Sequence, residues 1–209
     1  MSLKYGCQLF LALLSGIACA AGALYAEQYF SLDAEHGNGD YFIVFFDNFF
    51  LISLIEELSK FVMVFLFLKF IHNRKILLYI ALCIGLGFSI FEMSLYTYYQ
   101  NYDIYRWIPF ALHIFLAIIQ MRVMMYALDF STQRYFYINL AWVITWLIHG
   151  VYDLSVSISI KWIWIFSLLT VLFLVSLYIL FSQQTAKDVA LETKIDEEEN
   201  ESGDFGFFK

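Results

Sequence analysis

The chain has 209 residues, of which 62% are hydrophobic, 21% aromatic and 15% charged. A soluble domain is about 45–50% apolar, so this composition excludes one and marks an integral membrane protein. The net charge of −7 comes largely from the acidic C-terminus, and no basic patch points to nucleic acid.

Crossing a bilayer takes about 20 apolar residues per helix. Six segments qualify, 7–26, 43–70, 76–98, 107–128, 135–158 and 161–182. The fold class is therefore all-α, a polytopic helix bundle, with a transmembrane domain over 1–182. The first segment follows Lys4 and carries Ala18-Cys19-Ala20, features shared with a signal peptide. Its run is too long and its cleavage signal imperfect, so it reads as a retained helix. The 27–47 loop holds Glu27, Asp33, Glu35, Asp40 and Asp47 and no Lys or Arg. The loop after the second segment holds Lys69, Arg74 and Lys75. Residues 183–209 carry Asp196, Glu197, Glu198, Glu199 and Glu201 with few apolar partners, which predicts a disordered acidic cytoplasmic tail. Cys7, Cys19 and Cys83 lie in apolar stretches without metal spacing and read as small helix fillers.

Lys and Arg concentrate on the cytoplasmic side. Lys4, Arg122, Arg134, Lys187 and Lys194 fall with the 69–75 loop, and only Arg106 and Lys161 oppose it. This predicts a plasma-membrane protein with both termini in the cytoplasm and the 27–47 loop outside.

Seven ionisable residues lie inside the spans: Glu56, Glu57 and Lys60 in the second, Glu92 in the third, His113 in the fourth, His149 and Asp153 in the fifth. A charge in hydrocarbon costs several kcal/mol, so such groups face the bundle interior and mark function. At about 1.5 Å per residue, the second to fifth spans each place a polar group roughly 9–15 Å below the outer edge. One depth, reached by spans of alternating direction, predicts one site.

Residues three or four apart share a helix face. Lys60 is i,i+3 from Glu57 and i,i+4 from Glu56, so it neutralises one carboxylate and leaves the other for chemistry. Gly85 and Ser89 lie on the Glu92 face, where small residues let a neighbouring helix approach closely. Gln120 shares a face with His113. His149 and Asp153, at i,i+4, form an Asp-oriented histidine, a pair of metal ligands, or donors to an oxyanion. Carboxylates, histidines and a lysine in a membrane pocket suit peptide hydrolysis by activated water. They also suit proton- or metal-coupled transport. Against transport stand the single proline, Pro109, and the lack of an internal repeat.

The ordered motifs carry a resemblance. Glu56-Glu57-Leu58-Ser59-Lys60 reads EExxK, Phe88-Ser89-Ile90-Phe91-Glu92 reads FxxxE, His113 stands alone in its span, and His149-Gly150-Val151-Tyr152-Asp153 reads HxxxD. Over residues 45–158 this set resembles the PrsW family of intramembrane proteases, relatives of the type II CAAX prenyl endopeptidases and the bacterial CPBP (Abi) proteins. The resemblance implies an endopeptidase that cuts a membrane-anchored protein near its extracytoplasmic side, in the family's best-known role the first cleavage of a single-pass anti-sigma factor. It implies Glu56 and Glu57 as the water-activating pair, Glu92 where the CAAX enzymes carry histidine, and His149 with Asp153 as oxyanion stabilisers or water positioners. It leaves two routes. A metal-free route uses Glu56 as general base and is favoured. A zinc route takes His113, His149 and Glu57 as ligands, zinc sites preferring three protein ligands rich in His. A catalytically inert binding protein of the same fold is the remaining alternative. The sequence departs in FSIFE, with Ser where the family often has Ala, and in its long tail.

Overall fold

The computed structural model describes residues 3–30, 43, 45–71, 73–98, 107–128 and 134–158, all within one compact unit, Met1–Thr170. The expected sixth span, the acidic tail, His36 and most of the 27–47 loop lie outside the described residues. Every described element is helical: α1 (Leu3–Phe30), a π-helical segment (Phe46–Ile52) running into α2 (Ser53–Phe70), α3 (Arg74–Tyr98), α4 (Trp107–Leu128) and α5 (Arg134–Ile158). Among them, Leu3–Tyr29, Arg74–Tyr98 and Trp107–Leu128 are long and apolar enough to cross a membrane.

Local chemistry sets the helix ends. Ile71 turns extended and closes α2 with its N–H on the Phe67 carbonyl. Asn73 caps α3, its Oδ1 accepting from the Lys75 and Ile76 amides at 3.1 and 3.2 Å. Pro109 sits in the first turn of α4, where a missing N–H costs no helical bond. One boundary departs from expectation. With 28 residues, α1 is about 42 Å long against roughly 30 Å of hydrocarbon. Glu27, assigned from the sequence to the outer loop, is therefore helical.

The bundle is organised around α2, which packs against each of the other four helices. Its buried residues are Ser53, Glu56, Glu57, Lys60, Val64 and Leu68, spaced three or four apart along one stripe. Leu58, Val62, Phe65 and Leu66 are exposed on the other side. Polar groups inside and apolar groups outside suit a helix whose outer solvent is lipid.

Small residues bring the surrounding helices close. A Cβ on Gly16 would overlap the Ile84 carbonyl oxygen, and one on Gly87 would overlap that of Leu13, so α1 and α3 meet backbone to backbone. Between α3 and α4, Ser89 Oγ lies 2.8 Å from both the Gly85 and Phe110 carbonyl oxygens. The close approach expected at Gly85 and Ser89 is present, and it docks the helix carrying His113 onto the helix carrying Glu92. The cysteines are free: Cys7 is exposed, Cys83 half-buried, and the buried Cys19 thiol lies 3.4 Å from the Ser59 carbonyl.

Candidate functional site

The π-helical segment sets the position of α2. A π turn displaces backbone carbonyls from the regular ladder and is common at functional sites. Here the Phe49 carbonyl accepts from Trp146 Nε1 at 2.8 Å and from Ser53 Oγ at 2.6 Å. Phe49 and Phe50 both pack on the Trp146 ring, with centroids 5.6 Å apart in each case. Gly150 leaves room for this contact, since a Cβ there would lie 2.8 Å from the Phe49 ring. The segment thereby anchors the start of α2 to α5 just before Glu56 and opposite His149. No periodicity in the sequence marks it.

Glu57 and Lys60 form a fully buried ion pair. The remaining acceptor capacity of Glu57 is filled from two other helices. His149 Nδ1 lies 2.9 Å from Oε1, and Gln120 Nε2 donates to Oε2 at 3.0 Å and to Thr145 Oγ1 at 2.8 Å. A buried carboxylate is tolerated when paired and hydrogen-bonded, and Glu57 is both. Glu56 is different. Among the described residues its buried Oε2 has no hydrogen-bond partner, yet it lies 3.6 Å from His149 Nε2 and 3.9 Å from His113 Nδ1. Helix spacing allowed Lys60 either partner, and the tertiary structure assigns it to Glu57.

The histidine tautomers follow from their neighbours. Lys60 has only donors, so at 2.9 Å His113 Nδ1 accepts from its ammonium, and His113 Nε2–H donates to Glu92 Oε2. Glu92 Oε1 accepts from the Tyr96 hydroxyl at 2.7 Å. Phe88, the aromatic of FxxxE, lies under both partners: Lys60 Nζ is 4.3 Å from its centroid and the His113 ring 4.6 Å. His149 Nδ1–H donates to Glu57, which leaves Nε2 facing Glu56 and, at 3.4 Å, Asp153 Oδ2. The rings of His113 and His149 are 5.0 Å apart, nearly perpendicular.

All seven residues singled out in the sequence therefore converge: Glu56, Glu57, Lys60, Glu92, His113, His149 and Asp153. Sequence reasoning missed Tyr96, Thr145 and Glu27. Gln120 carried a signal, its place on the His113 face. A cavity of about 290 Å³ opens beside Glu56 between α1 and α3, and Glu27, Glu92 and Tyr96 also line it.

One donor atom each from Glu56, His113 and His149 lies within 4.8 Å of the others. By donor type this set fits zinc, with Glu56 as the carboxylate. Glu57, the carboxylate named from the sequence, already has both oxygens engaged by Lys60, His149 and Gln120. Lys60 sets a condition on the fit, since its ammonium occupies the His113 Nδ1 lone pair that an ion would take.

A family model described as PrsW family intramembrane metalloprotease matches residues 7–181. No curated protein and no solved structure matches the chain. The family match is wider than the 45–158 covered by the motifs and takes in α1.

Proposed function

The chain belongs to the PrsW family of intramembrane proteases, and from that premise we propose that it hydrolyses a peptide bond of a membrane-anchored protein near its extracytoplasmic side, with water activated by Glu56. The observation that carries this reading is the contrast between the two adjacent glutamates. Glu57 is fully engaged by cations and donors, whereas Glu56 presents a buried oxygen between two imidazoles at the wall of a cavity.

Water held between Glu56 and the scissile carbonyl gives its proton to Glu56, and the hydroxide adds to the carbonyl carbon. His149 has a carboxylate at each ring nitrogen, Glu57 at Nδ1 and Asp153 at Nε2. In that setting the ring carries both protons and donates from Nε2 to the developing oxyanion. Collapse of the tetrahedral intermediate breaks the C–N bond, and the proton on Glu56 passes to the leaving amine. His113, fixed by Lys60 and Glu92, lines the water on its other side. Glu57, Lys60 and Gln120 hold this geometry without touching substrate.

The cavity is close to the lower end of ligand-sized clefts, roughly 300 Å³. Its walls are apolar apart from the carboxyls, Gln28 and Tyr96, which suits an unwound stretch of a transmembrane peptide. The outer-half depth read from the Lys and Arg distribution supports a cut near the extracytoplasmic face of the plasma membrane. A single-pass anti-sigma factor is the substrate class that the family's best-known role supplies. The Glu56, His113 and His149 set favours a second reading, the zinc route. On that route Glu56, His113 and His149 would hold the zinc ion, which would supply Lewis-acid activation.

The test compares membranes of cells carrying the wild-type chain with those carrying Glu56→Gln at equal abundance. Single-pass proteins are expected to be cut by the first and to accumulate intact with the second. Equal proteolysis by the two sinks the role given to Glu56.

A further inference from the structure

Four of the described helices carry the motif residues, and α1 carries none of them. Yet α1 has a buried stripe of small residues, Ala12, Gly16, Cys19, Ala20 and Ala23, repeating every three or four positions. Glu27 is the next residue on that stripe, eleven after Gly16 or about three turns. The backbone contacts of Gly16 with Ile84 and of Leu13 with Gly87 fix α1 against α3. Glu27 is thereby carried to the cavity that Glu56 and Glu92 line.

There Glu27 and Glu56 line the same cavity, their carboxyl groups side by side at its wall. Glu27 Oε1, like Glu56 Oε2, is buried and has no hydrogen-bond partner among the described residues. Two carboxyl groups so placed can bond by sharing a proton between oxygens, a contact that would fix the orientation of both. An acidic side chain brought to this depth is costly. Its placement against the one glutamate that Lys60 leaves free explains why it is there.

We propose that Glu27 is a positioning residue of the hydrolytic site, holding the Glu56 carboxyl against the wall of the cavity that admits substrate. The proposal rests on the protease reading above. It makes α1 part of the active site, in keeping with a family match that begins at residue 7.

The test uses the purified full chain in lipid nanodiscs and dye-labelled unfolded casein as probe. Glu27→Leu removes the carboxyl at similar size, and kcat is expected to fall by up to about 100-fold, the cost of misplacing a reacting group by about 1 Å, with KM little changed. Glu27→Gln keeps a donor for the Glu56 carboxylate and is expected to restore most of the lost rate. Wild-type kcat in Glu27→Leu overturns the proposal, as does a loss confined to KM or a Gln variant no better than Leu. A second measurement needs no cleavage. Glu27→Cys with Glu56→Cys, in a chain whose native cysteines are replaced by serine, is expected to cross-link with a short bifunctional thiol reagent. Absence of the cross-link overturns the contact. Cross-linking of the double-cysteine chain together with no cleavage by the wild-type chain faults the protease reading and leaves the contact standing.

Discussion

Gly85→Ala is the smallest change that separates the packing of the bundle from the chemistry it holds. The added Cβ would lie 2.6 Å from the Ile114 Cα and 2.8 Å from the His113 carbonyl oxygen. Both are backbone atoms of α4, so no side chain can swing aside. Carbon atoms pack at about 3.5 Å, and α4 must withdraw from α3 by about 0.9 Å at that point. Overpacking of this kind costs about 1–3 kcal/mol. The larger consequence is at His113, whose own carbonyl is struck and whose ring spans Lys60 and Glu92. Misplacing a reacting group by about 1 Å costs about a hundredfold in rate. The expected outcome is a chain that still folds, with a modestly lower melting midpoint, and cleaves casein about a hundredfold more slowly. Gly22→Ala is the control, because a Cβ there meets nothing within 4 Å. If Gly85→Ala cleaves as fast as the control, the close α3–α4 approach does not govern His113 and the reasoning fails.

Three further outcomes are expected. Lys60→Met strands the buried Glu57 carboxylate and should cost about 3–5 kcal/mol; Glu57→Gln with Lys60→Met should recover much of it in unfolding measurements, and a single variant as stable as wild type would refute the ion pair's structural role. Elemental analysis of active purified protein should find no stoichiometric metal on the glutamate route, and one zinc per active chain would decide for the zinc route instead. In a chain lacking native cysteines, His36→Cys should react with an impermeant maleimide in intact cells and Asn73→Cys should not; the reverse pattern overturns the orientation read from Lys and Arg.

Much of this site was legible without coordinates. Each helix that carries a motif residue also carries an apolar run, and an ionisable side chain inside such a run is costly enough to declare itself. Glu92, His113 and His149 stood out for that reason alone. Gly85 and Ser89 announced a close helix contact because small side chains are the device that permits one. Glu27 stayed hidden because it sits at the end of its apolar run beside Asp33 and Glu35, where an acidic residue reads as loop. The π-helical segment stayed hidden because seven residues of FDNFFLI carry no spacing that separates a π turn from an α turn.

The sequence by itself determined an all-helical membrane bundle with buried acids, imidazoles and a lysine, because hydrophobic length and the cost of intramembrane charge are properties of single segments. Only the tertiary structure decided which glutamate Lys60 neutralises, which nitrogen each histidine offers, and that Glu27 of α1 lines the cavity beside Glu56. Those outcomes depend on Gln120, His149 and Glu27 arriving from other helices, and helix spacing constrains neighbours within a segment while saying nothing of partners across the bundle.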